Sequence, residues 1–74
     1  MDTINLYEAN KSDTFIVAAV PDISLLENIG LRVGTQVAVR NRYGFGGPVL
    51  LNVEDAYYVA LGKDIAKRIE VTAS

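Results

Sequence analysis

The stretch SLLENIGLRVGTQVAV, residues 24–39, constrains the fold most tightly, because within it the apolar spacing changes from helical to alternating across two glycines. Leu25, Leu26 and Ile29 fall on one face at helical spacing, with Glu27 and Asn28 pointing outward. From Thr35 the period becomes two. Val37 and Val39 then share one face and Gln36, Ala38, Arg40 and Arg42 the other, the pattern of a half-exposed antiparallel strand. If Ile29 ends the helix, Gly30 takes the C′ position, where a left-handed backbone costs any residue with a Cβ roughly 1 kcal/mol or more. Leu31 is then C″ and Leu26 is C3, the pair whose apolar contact accompanies a Schellman ending. Gly34 stands third in Arg32-Val33-Gly34-Thr35, where a type II turn requires positive φ. Both glycines are expected to turn the chain, and neither needs to touch a ligand.

The rest of the chain reads as short strands separated by turns. TFIVAAV, residues 14–20, is β-branched, aromatic and apolar on both alternating faces, which predicts a strand buried on two sides. Pro21 ends it, and Asp22 is placed to cap the following helix through its carboxylate. After the alternating strand, the loop NRYGFGGP at 41–48 leads into VLLNV, where Val49, Leu51 and Val53 alternate with Leu50 and Asn52. Glu54-Asp55 forms a short turn before AYYVAL at 56–61, with Tyr57 and Val59 on one face and Tyr58 and Ala60 on the other. Gly62 closes that strand. A helical turn at 63–68 with apolar Ile65, Ala66 and Ile69 precedes a last strand, IEV, at 69–71. Near the start, part of the segment carrying Ile4, Leu6 and Tyr7 should cap the core before a turn at 10–13.

Composition narrows the function. With 74 residues, the chain is predicted to be one domain, residues 1–74, near the lower size limit for a core without a disulfide or metal. Its longest apolar run, 15–20, is far short of the roughly 20 residues that span a bilayer, and no basic segment precedes it. The chain is therefore expected to be soluble and unexported, with no direct membrane insertion. Zero cysteines and zero histidines exclude thiolate and imidazole metal sites and every catalytic scheme built on those side chains. No catalytic residue, metal ligand or cofactor site is predicted. Seven basic against nine acidic residues argue against nucleic acid as a partner. About five strands with one or two short helices predict a mainly β, small SH3-like antiparallel barrel, present as a monomer or weak homo-oligomer.

The run LLENIGLRVGTQVAV, followed by GGPVLLNV and YYVALGKDIAKRIEV, resembles the FeoA family of ferrous iron transport proteins from about residue 14 to residue 71. Ile29-Gly30-Leu31, Gly34, Pro48, Ala60-Leu61, Ala66, Ile69 and Val71 carry the resemblance. Departures fall in turns and on the surface: Val33 stands where the family usually has proline, residues 10–13 replace an early glycine turn, Glu54-Asp55 replace a hairpin glycine, and Gly62 replaces a common arginine. The resemblance implies a cytoplasmic, non-enzymatic accessory protein that docks on the membrane ferrous iron transporter FeoB. FeoA-like domains also occur at the C-terminus of metal-dependent repressors as SH3-like interaction modules. A chain that opens on Met1, without a DNA-reading helix pair or metal ligands of its own, fits that second setting less well.

Each candidate site has a plainer alternative. The glycines of YGFGGP invite a phosphate-loop reading, yet Pro48 starts a strand where a phosphate loop needs a helix N-terminus. Glu54 and Asp55 are the only neighbouring pair among scattered carboxylates, and a solvated turn explains them better than a cation site. Arg40 and Arg42, read on the outer face, would contact an acidic partner or a nucleotide phosphate, or else simply lie in solvent. Tyr43 and Phe45 on the loop are the best interface residues, since buried aromatics carry disproportionate binding energy. Tyr43 could equally cap the core. The rival to a docking module is an activator of the transporter's GTP hydrolysis, acting in trans through Arg40 or Arg42.

Overall fold

The computed structural model describes residues 2–11 and 13–74. In chain order the elements are β1 (Ile4–Asn5), a 3-10 turn (Leu6–Glu8), β2 (Thr14–Ala19), α1 (Ser24–Asn28), β3 (Gln36–Arg42), β4 (Val49–Val53), β5 (Tyr57–Leu61), α2 (Lys63–Ala66) and β6 (Glu70–Ala73). The strands form a single antiparallel sheet in the order β1-β6-β2-β3-β4-β5. This is the mainly β, SH3-like architecture, with two corrections to its detail. Six strands are present rather than about five, because Ile4 and Asn5 pair with Val71 and Glu70. The sheet curls without closing into a barrel, so β1 and β5 remain its two ends.

Alternation builds the core. Phe15 and Val17 of β2, Val37 and Val39 of β3, Val49, Leu51 and Val53 of β4 and Val71 of β6 are all buried. Leu6, Leu26, Leu31, Leu61, Ala66 and Ile69 join them in one cluster. Each fully buried leucine or valine stabilises the fold by about 1.5–3 kcal/mol relative to exposure. The 3-10 turn earns its position through Asn5, whose side-chain oxygen accepts the Glu8 N–H at 3.1 Å, and through the Leu6 N–H, which donates to Ile69 O at 2.8 Å. Those bonds hold Leu6 over the core.

Several local expectations are overturned. β2 is not buried on both sides: Phe15 and Val17 are buried, while Ile16, Ala18 and Ala19 are half-buried. Asp22 does not cap α1. The Ile23 N–H reaches back to Pro21 O at 2.9 Å, which folds Asp22 into a tight bend and leaves Ile23 at the N-cap without a side-chain bond. Leu25 is exposed, because a helix of five residues presents little more than Leu26 to the core, with Ile29 packed at its margin. β3 continues through Arg42, two residues into the expected loop, and the last strand runs 70–73 rather than 69–71. The turn expected at 10–13 includes Ser12, which lies outside the described residues.

The helix ending is a Schellman motif. The Leu31 N–H donates to Leu26 O at 2.8 Å and the Gly30 N–H to Glu27 O at 3.1 Å, with Gly30 at φ +85°. At the next turn the Thr35 N–H donates to Arg32 O at 3.0 Å around Gly34 at φ +96°. The Gly34 N–H then reaches Val17 O at 2.8 Å, which fastens this turn to β2.

Candidate functional site

In the loop joining β3 to β4, local conformation departs from what one of its residues prefers. Tyr43 N–H donates to Pro48 O at 3.1 Å and Gly47 N–H to Gly44 O at 3.2 Å, so the loop is a closed turn within a turn. Its two central residues, Phe45 and Gly46, have φ of +59° and +76°. Successive positive φ values define the type I′ turn, which favours asparagine and glycine. A phenylalanine in that position is an outlier that packing does not explain, since Phe45 is 112% exposed. Such an outlier motivates a functional reading of the side chain. Gly47 packs closely against Tyr43: a Cβ there would meet Tyr43 Cβ at 3.0 Å and Tyr43 O at 3.1 Å, so Tyr43 would have to give by a few tenths of an ångström.

Tyr43, two residues before Phe45, is 47% exposed and lies outside the core cluster. Arg40 is exposed as well. Arg42 is not on the outer face with it. The register between β3 and β4 shifts between Val39 and Asn41, so that Val39 opposes Leu51, Asn41 opposes Leu50 and Arg42 opposes the buried Val49. Arg40 is the extra residue of a β-bulge, and a bulge moves every later side chain to the other face. Arg42 is thereby turned inward. Its Nη2 donates to Ala9 O, its guanidinium lies 5.8 Å from the Tyr7 ring centroid, and its Nε is buried without a partner.

Lys63 completes this end of the molecule. Its Nζ is 5.4 Å from the same Tyr7 ring, and its side chain passes beneath Gly46. Two cations thus lie near one aromatic ring, and Lys63 also supports the loop from below. From sequence Tyr7 is expected only as part of a core cap and Lys63 not as a site residue, and no motif would have joined them, because it is the packing of α2 on the 3-10 turn that brings them together. Glu54 and Asp55 lie at the opposite end of β4, at φ +55° and +56°. Glu54 accepts the Gln36 N–H at 3.1 Å and returns its own N–H to Gln36 O at 2.9 Å. That pairing prolongs the β3–β4 ladder by one step, and among the described residues no group of three or more acidic side chains could hold a metal ion.

An open, curled antiparallel sheet with a helix-Schellman crossover and an aromatic loop at one end defines a small SH3-like β domain. The chain belongs to the FeoA domain family, whose model matches residues 4–73, a family associated with iron transport. A crystal structure described as an iron uptake regulatory protein, FeoA, is 25% identical, covers 100% of both chains and superposes with a TM-score of 0.87. A manganese-dependent transcriptional repressor is also 25% identical with a TM-score of 0.86, over 97% of this chain but only 42% of the repressor. The solution structure of a FeoA-like protein from Clostridium acetobutylicum shares the fold, with a TM-score of 0.83 at 23% identity over 99% of this chain and 88% of that one. No curated protein sequence matches.

Proposed function

We propose that this chain is a cytoplasmic, non-enzymatic accessory protein of bacterial ferrous iron transport, docking on the cytoplasmic portion of the transporter FeoB and modulating it. The observation that carries the reading is the family match over 4–73, together with an end-to-end likeness to an iron uptake regulatory protein. No described helix is long and apolar enough to cross a membrane, which suits a protein that works against a membrane partner rather than within the bilayer. The docking surface is the loop 43–48, with Phe45 as anchor, Tyr43 as rim and Arg40 as the accessible charge. Arg42 and Lys63 act from beneath by holding the loop.

Affinity of the chain for the isolated cytoplasmic portion of FeoB tests this. Phe45→Ala should weaken binding by about 1–2 kcal/mol while leaving the fold intact. Unchanged affinity would remove the loop from the interface. An alternative role as a GTPase activator narrows to Arg40, because Arg42 is committed to Ala9 O and the Tyr7 ring. An activator raises the transporter's hydrolysis rate and loses that effect on Arg40→Ala, whereas a docking module binds and leaves the rate unchanged. The likeness to a repressor favours a third setting, an SH3-like interaction domain of the repressor type, which would bind a protein segment of its own regulator instead.

A further inference from the structure

The two ends of the sheet are finished differently. β1 is two residues long and passes at once into the 3-10 turn, so it offers an incoming strand almost nothing to pair with. β5 runs five residues in unbroken register with β4, and no described strand pairs with its other side. Proteins usually blunt such an edge with lysine, proline, a bulge or a covering element. YYVAL carries no charge and no proline, and Tyr57, Tyr58 and Ala60 are exposed.

We propose that β5 is a self-association edge, at which two copies of this chain pair β5 to β5, antiparallel, about a two-fold axis through Val59. A second copy suits the edge better than a foreign strand for three reasons. An identical edge is self-complementary, and the resulting contact is isologous and closes on itself. The blunted β1 leaves no second long edge among the described strands, so the assembly stops at two copies. Side-chain size also selects the register. With the axis at Val59, Tyr58 lies opposite Ala60 of the second copy, a large side chain beside a small one. One strand pair buries less than the ~1,200 Å² of a stable interface, so the dimer is weak and concentration-dependent.

Sedimentation velocity of the full chain across a concentration series reads the association, and cysteine cross-linking reads the register. The chain has no cysteines of its own. Oxidising a mixture of Tyr58→Cys and Ala60→Cys should give mixed disulfide dimer in several-fold excess over Ala60→Cys alone. Tyr58→Lys should raise the concentration for half-association by about tenfold or more, and Ala60→Lys should do the same, each with an unchanged thermal midpoint. A chain that stays monomeric at every concentration overturns the proposal, as does a folded Tyr58→Lys or Ala60→Lys variant that dimerises like the parent. Cross-linking without preference for the mixed pair overturns the register. None of these outcomes depends on the transporter.

Discussion

Gly30→Ala should cost the fold about twice what Gly34→Ala costs, and the difference resides in one hydroxyl. Both glycines have φ in the left-handed region, +85° and +96°, so an alanine at either bears roughly 1 kcal/mol of backbone strain. At Gly34 nothing lies within 4 Å of the added Cβ, and strain is the whole cost. At Gly30 the Cβ would overlap Tyr57 Oη. That hydroxyl is not free to withdraw without loss, because it donates to Ile29 O at 2.6 Å. Displacing it forfeits a partly exposed hydrogen bond worth about 1 kcal/mol. Gly30→Ala should therefore cost about 2 kcal/mol and Gly34→Ala about 1 kcal/mol. Tyr57→Phe alone should cost about 1 kcal/mol. In the Tyr57→Phe background, Gly30→Ala should fall to the strain term alone, giving a coupling of about 1 kcal/mol in a double-mutant cycle. Urea unfolding of the four chains, with Gly34→Ala as reference, supplies every number. Equal costs for the two glycines, or additivity of Gly30→Ala with Tyr57→Phe, would refute the assignment of a steric role to Tyr57. A β-branched residue tightens the same test: Gly30→Val should cost more than the alanine, toward 3 kcal/mol.

Phe45→Gly should hold or slightly raise the thermal midpoint, by up to about 1 kcal/mol of stability, since it relieves a bulky residue at φ +59° and removes no packing; a lowered midpoint in thermal unfolding would mean that Phe45 is core. Arg42→Ala should destabilise by about 1–3 kcal/mol by leaving Ala9 O unpaired beside the core, whereas Arg40→Ala should stay within about 0.5 kcal/mol; chemical denaturation distinguishes them, and equal effects would contradict the bulge. Asp55→Gly should stabilise by about 0.5–1 kcal/mol, because it lifts a Cβ from φ +56° while the Asp55 N–H keeps its bond to Asn52 Oδ1; a loss in denaturant midpoint would show that its carboxylate is needed.

The bulge at Arg40 marks the boundary between what this sequence discloses and what it withholds. Where the pattern is local and apolar it is readable: the period-two runs of β3 and β4 put Val37, Val39, Val49, Leu51 and Val53 inward, and all five are buried. The helix-to-strand reversal is readable too, since its signals are two glycines and a leucine pair within nine residues. A bulge leaves no comparable trace. Continuing the alternation of β3 past Val39 assigns Arg42 to the same outer face as Arg40, and nothing in VRNR says that a residue is skipped. The partner strand decides it, because Leu50 and Val49 must meet Asn41 and Arg42 for the loop to close. The same reasoning covers Asp22, whose capping chemistry is sound in isolation but is overridden by the bend from Ile23 to Pro21. Long-range pairing therefore fixes the site more than local preference does. Of four loop-end residues read as one surface, it leaves Arg40, Tyr43 and Phe45 outside and folds Arg42 beneath them with Tyr7. On the proposed docking surface, Phe45 stands exposed on a strained turn, and the half-buried Arg42 beneath it is already committed to Ala9 O and the Tyr7 ring.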